Sequence, residues 1–115
     1  MTINELLLST ITPILNNVWA DELPVDVTFP AIAFEVVTES EKTWVLGGGY
    51  DQHAVTLYFY TKTISERTTL EKAVREALQE LPSYLIDGER GDAEYEEDAS
   101  VYAYFSDHVI RLPLY

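Results

Sequence analysis

Cysteine is absent from this chain of 115 residues, which removes a disulfide scaffold, a thiolate zinc site and a Cys nucleophile at once. Basic residues are scarce, with seven Lys and Arg against twenty Asp and Glu and a formal net charge of −13. That sign repels nucleic-acid phosphates and anionic membrane surfaces at long range. Specific nucleic-acid binding is therefore not expected, and partners with basic faces are. Histidine occurs twice, as His53 and His108, and nothing in the pattern places a metal ligand or a carboxylate against either ring. No apolar run approaches the roughly 18 residues of a membrane helix. The first residues carry Glu5 and no basic stretch, unlike a signal peptide. These absences point to a soluble intracellular protein without cofactor, metal, membrane partner or enzymatic reaction.

What is present is an orderly apolar pattern. Hydrophobic residues make up 47% and aromatics 12%, enough for the core of one domain spanning residues 1–115. Thr2 can cap a helix whose stripe is Ile3, Leu7, Ile11, Ile14, Leu15 and Val18, with a kink or break at Pro13. Residues 20–24 read as a loop. The stretch 25–38 reads as extended, and beyond Pro30 the residues Ile32, Phe34 and Val36 share one face of a strand. Residues 43–46 look extended as well. Gly47, Gly48 and Gly49, with Tyr50 and Asp51 behind them, form a turn or hairpin tip and a candidate assembly loop. They lack the following Lys and Ser/Thr of a phosphate loop.

Residues 53–61 are the clearest strand, with Val55, Leu57 and Phe59 on one face and Thr56, Tyr58 and Tyr60 on the other. A second helix starts near Thr63, where T-I-S-E places Glu66 in capping-box register. Its apolar stripe is Leu70, Ala73, Val74, Ala77, Leu78 and Leu81, and Pro82 ends it. Residues 84–87 suit a short strand. Residues 89–98, ERGDAEYEED, read as an acidic loop carrying Glu89, Asp92, Glu94, Glu96, Glu97 and Asp98. They lack the D-x-[DN]-x-[DN]-G framework of a calcium loop. Two strand-like runs, 100–105 and 108–115, follow with a break near Ser106 and Asp107.

Three consecutive strands imply hairpins and antiparallel pairing. The expected fold class is α+β, a two-layer sandwich of a mostly antiparallel β-sheet with two helices on one face. Aromatics at Tyr58, Tyr60, Tyr102, Tyr104 and Phe105 suit either a subunit interface or ordinary cross-strand packing.

Particular segments carry a family likeness. They are the amphipathic first helix, the strand Phe29-Pro30-Ala31-Ile32-Ala33-Phe34-Glu35, the aromatic strand Val55-Thr56-Leu57-Tyr58-Phe59-Tyr60-Thr61 and the L-x-x-A-V-R-E-A-L helix from Leu70 to Leu78. An acidic stretch and a last strand rich in Tyr and Leu follow. The chain resembles the small tail-completion and tail-terminator proteins of long-tailed bacteriophages. The resemblance implies a structural protein that closes into a homo-oligomeric ring, commonly a hexamer. Such a ring caps the tail-tube protein, stops its polymerisation and offers a joining surface to the head–tail connector protein. It implies a location in the host cytoplasm during assembly and then in the virion tail. In that setting the residues 89–98, or Asp51 and its neighbours, become a candidate acidic lumen or partner face. Two other readings stand beside it: a head-side connector of the same assembly, and an acidic DNA mimic that inhibits a nucleic-acid enzyme.

Overall fold

A computed structural model describes residues 2–21, 23, 24, 26–41, 50–82, 84–93 and 100–113. The elements in chain order are α1 (Ile3–Ile11), β1 (Val18–Ala20), β2 (Ala31–Glu41), β3 (Tyr50–Thr61), α2 (Ile64–Gln79), β4 (Tyr84–Ala93) and β5 (Tyr102–Pro113). The five strands form one sheet in the order β1-β2-β3-β5-β4. The pairs β2–β3, β3–β5 and β4–β5 are antiparallel, while β1 runs parallel to β2. None of the described helices is long and apolar enough to cross a membrane.

Pro13 ends the first helix instead of kinking it. Lacking an N–H, proline cannot continue the ladder, and Thr12 becomes the C-cap. The N–H groups of Ile14 and Leu15 both turn back to the carbonyl of Ile11. Val18 therefore leaves the predicted stripe and enters a strand. At the other end Thr2 and Glu5 form a reciprocal capping box. Asn17 then fixes the entry to β1, its Nδ2 donating to the carbonyls of Thr28 and Pro30 at 2.6 and 2.9 Å. Asp21, in the left-handed region at φ 65°, turns the chain off β1.

Helix α2 forms as its pattern predicts, with Thr63 Oγ1 accepting from the Glu66 N–H at 3.1 Å. Both helices lie on one face of the sheet. Leu7 and Ile11 of α1 and Leu70, Val74 and Leu78 of α2 join Ile32, Phe34, Val55, Leu57, Phe59 and Ile110 in a single buried cluster. In the observed register Ile32, Phe59 and Tyr104 align across the sheet, as do Phe34, Leu57 and Ser106. The inward face of each strand is thus the period-two set predicted for β2 and β3.

The last third of the chain differs from expectation. β5 is one unbroken strand through Ser106 and Asp107, and the irregularities lie in β4 instead. Gly88 and Glu89 fall between the pairs Asp87–His108 and Arg90–Ser106, so two residues oppose Asp107 alone. A Cβ on Gly88 would sit 2.8 Å from the Asp107 Cβ, which reserves the position for glycine. β4 is also longer than the four-residue strand predicted, and it takes in residues 89–93 of the expected acidic loop.

Two substitutions test this packing. Phe59→Ala, at a position with no exposure, is expected to destabilise the domain by about 3–5 kcal/mol. Gly88→Ala forces the β4 bulge away from Asp107 and is expected to cost about 1–3 kcal/mol. Urea denaturation followed by circular dichroism measures both.

Candidate functional site

The sheet face opposite the helices has no second layer among the described residues, and its sequence accommodates that. Tyr60 has Ala31 and Ala103 as its cross-strand neighbours, and Tyr58 has Ala33 and Phe105. The alternation of small and aromatic residues lets rings lie over methyl groups, and Ala31 and Ala33 are buried without any helix above them. The Tyr58 and Tyr60 rings stack at 6.5 Å between centroids, 22° apart. Phe105 crosses Gly91, where a Cβ would meet its Cε1 at 3.4 Å.

Polar groups on this face are paired along the sheet. Thr56 Oγ1 donates to Asp107 Oδ1 at 2.8 Å and Arg111 Nη2 to Gln52 Oε1 at 3.1 Å. The Tyr58 hydroxyl donates to Glu35, and partial burial, the charges of Glu35 and Asp107 and that hydrogen bond all raise its pKa. At the β1–β2 edge lie two large apolar side chains in water, Trp19 at 42% exposure and Val37 at 66%. Trp19 is held in place by its Nε1 donating to Asn17 Oδ1 at 2.7 Å. The result is a rigid aromatic surface with an apolar rim, the chemistry of a protein interface.

The helix side offers a surface of different shape. A groove of about 510 Å³ opens between the segment after α1 and the first turns of α2. Ile14, Leu15 and Pro30 form one wall, and Leu70 and Ala73 the other. Ile64, in the first turn of α2, is 53% exposed.

The candidate residues from the sequence fall in several places. Tyr50 and Asp51 begin β3, paired with Pro113 and Leu112 of β5, while Gly47, Gly48 and Gly49 lie outside the described residues. Glu89 and Asp92 belong to edge strand β4, not to a loop, and Asp92 Oδ1 pairs with Arg67 Nη1 at 2.8 Å. Glu94, Glu96, Glu97 and Asp98 lie outside the described residues. The five aromatics do not share a face. Tyr58, Tyr60 and Phe105 line the open side, whereas Tyr104 lies on the helix side with the Arg67 guanidinium 4.8 Å from its ring centroid.

One constellation escapes the sequence pattern altogether. His108 is 3% exposed, and its Nε2 lies 2.8 Å from Ser106 Oγ. On its other side Nδ1 lies 2.9 Å from the Tyr84 hydroxyl and 3.3 Å from Asp87 Oδ1. Tyr84 donates its only hydroxyl proton to Asp87, so Nδ1 carries the ring proton and Nε2 accepts from Ser106. The expectation that no acid stands beside His108 is thereby corrected, because the β4 bulge brings Asp87 across from it. The order Ser, His, Asp follows a nucleophile relay, yet Ser106 is 1% exposed on the helix-covered face and its Oγ is sealed from any substrate carbonyl. Among the described residues no group of three His, Asp or Glu stands ready to hold a metal.

Comparison with known families matches residues 6–107 to Tail completion protein gp17. The chain belongs to that family. It is a structural protein of the phage tail, and the resemblance drawn from its sequence holds. A solved chain from the virion of a native gene transfer agent particle superposes with a TM-score of 0.64 at 11% identity, covering 93% of this chain and 84% of that one. At that identity the likeness is one of fold. No curated protein matches the chain.

For a tail-completion protein the open sheet face is the feature to perturb. Val37→Glu places a charge on its apolar rim at a position already in water. The substitution is expected to change the stability of the subunit by no more than about 0.5 kcal/mol, checked by urea denaturation, so any loss of association reports on the surface itself.

Proposed function

We propose that this tail-completion protein closes into a ring, hexameric in the simplest case, that caps the tail tube and presents the joining surface to the head. The observation that carries the reading is the pair of unlike surfaces on opposite sides of the subunit. A ring needs a heterologous contact, in which one patch meets a different patch of the next copy. The aromatic sheet face with Trp19 and Val37 supplies one patch, and the groove between the post-α1 segment and α2 supplies the other. The hairpin of β2 and β3 extends roughly 36 Å at about 3.3 Å per residue, long enough to reach across a neighbouring subunit.

Charge sets the conditions of closure. Arg67, Arg75 and Arg90 are engaged with carboxylates of their own chain, so subunits meet with most of their acids uncompensated. Repulsion between them is screened within a Debye length of roughly 8–10 Å at moderate salt. Closure is accordingly favoured by salt, by divalent cations or by a basic tube end. The acidic residues Glu89 to Asp98, or Asp51 with its neighbours, are assigned to the lumen or to a basic partner. On a lumen wall it keeps passing DNA from adhering.

Native mass spectrometry at rising protein and magnesium concentration tests the proposal. A closed ring is expected, with Val37→Glu leaving a folded subunit that no longer closes. A subunit that stays monomeric or dimeric in every condition, including with the tube protein present, refutes it. Tight, salt-sensitive binding to a DNA-processing enzyme would favour the DNA-mimic reading instead.

A further inference from the structure

The seam between α2 and β4 is joined by polar side chains, most of them exposed along the sheet edge. Arg67, Glu71, Arg75 and Gln79 follow at four-residue spacing along one side of α2. Opposite them Arg67 meets Asp92 at 2.8 Å, Glu71 meets Arg90 at 3.4 Å, and Gln79 Nε2 donates to Asp87 Oδ2 at 2.9 Å. Asp87 thus receives α2 through Gln79, its own strand through Tyr84, and β5 through His108. Among the described residues edge strand β4 has only β5 as a strand partner, and its ladder is interrupted twice, between Tyr84 and Ile86 and between Asp87 and Arg90. Side chains meeting at Asp87 therefore stand where backbone pairing is weakest.

We infer that the chain Ser106–His108–Tyr84–Asp87–Gln79 is an acid-sensitive latch: protonation of His108 releases β4 from β5 and α2 while the remaining strands stay paired. In the closed form Nε2 is an acceptor facing the Ser106 hydroxyl, and a second ring proton turns that contact into two opposed donors until Ser106 rotates. The charge arrives at a side chain that water does not reach. Opening lets both nitrogens find water and leaves the outer edge of β5 unpaired, a ready acceptor for another strand.

The surrounding charges set the direction. β4 contributes Tyr84 and Asp87, α2 contributes Arg75, Glu71 and Gln79, and β5 itself contributes Asp107. On β3, Val55 stands opposite His108 with His53 next along that face. Burial is the largest influence on His108 and lowers its pKa from the ordinary 6.5, with Arg75 acting the same way; Asp87 and Asp107 oppose. The closed form therefore resists the proton and the open form takes it. Stability of the latch is fully present above 6.5 and is lost as pH falls through the lower folded value. Glu71 acts in the opposite sense. Burial raises its pKa above 4.5, so the closed seam takes up that proton more readily than the open one. Glu71 consequently holds the seam against acid, and release belongs to His108, the more deeply buried of the two.

Hydrogen exchange of the full chain at pH 7.5, 6.0 and 5.0, corrected for intrinsic rates, tests the latch. The β4 amides are expected to lose protection by up to about tenfold per pH unit between 6.5 and the lower folded His108 pKa, the slope for one proton, and to level off below it. The β2 and β3 amides keep theirs, and His108→Gln removes the dependence. Unchanged β4 protection, loss from all strands together, or the same acid response in His108→Gln overturns the inference. Should the variant fail to fold, the ring-proton NMR titration of His108 in the unaltered protein decides. A midpoint below 6.5 supports the latch, and one at or above 6.5 overturns it.

Discussion

A single sheet flanked by two helices can hide only one of its faces, and the rest of the molecule follows from that. The inward residues of β2, β3 and β5 converge with Leu7, Ile11, Leu70, Val74 and Leu78 into one core. Burying each such side chain is worth about 1.5–3 kcal/mol, so the helix-covered face supplies the stability. The outward face has no covering layer among the described residues and must meet water directly. It does so by laying tyrosines over alanines and by pairing Thr56 with Asp107 and Gln52 with Arg111 along the strands. The cost is an aromatic surface with two large apolar side chains left in water. A subunit built this way completes its core within one chain and leaves an apolar rim on its open face.

The same economy governs charge. With seven basic residues against twenty acidic ones, cations are scarce, and α2 with β4 takes three of the arginines for one seam along the sheet edge. That seam holds the edge strand and leaves the exterior acidic. An acidic exterior opposes unregulated self-association and adhesion to DNA, which suits the proposed cap of a tail tube. Attraction through the sheet face and repulsion through the carboxylates are of opposite sign, so the proposed ring closure is conditional on salt or on a partner.

Much of this was legible from residue order because burial imposes period. β3 and α2 each have one face in the core, and their apolar residues repeat at two and at three-to-four accordingly. The cap at Thr63 and the punctuation by Pro82 are local signals, and the structure keeps both. β1 was not legible, since three residues make no period and Val18 continues the helical stripe in phase. Only the missing N–H of Pro13 marks the boundary. The extent of β4 was obscured by its charges. As an edge strand it can expose Asp87, Glu89, Arg90 and Asp92, and a run of that kind reads as loop. The break expected at Ser106 and Asp107 arose from polar residues inside an apolar run, whereas both are satisfied by partners, Ser106 by His108 and Asp107 by Thr56. Asp87 reaches His108 from twenty-one residues away, by a bulge that a single sequence does not announce.

The tail-completion family makes the protein a structural component of the tail; we propose in addition that it ends the tube. Imaging tubes grown from purified tail-tube protein, with and without this chain, tests that claim most directly. Tubes are expected to stop growing once the chain is added and to carry a ring of extra density at one end. Tubes of unchanged length with bare ends would contradict it.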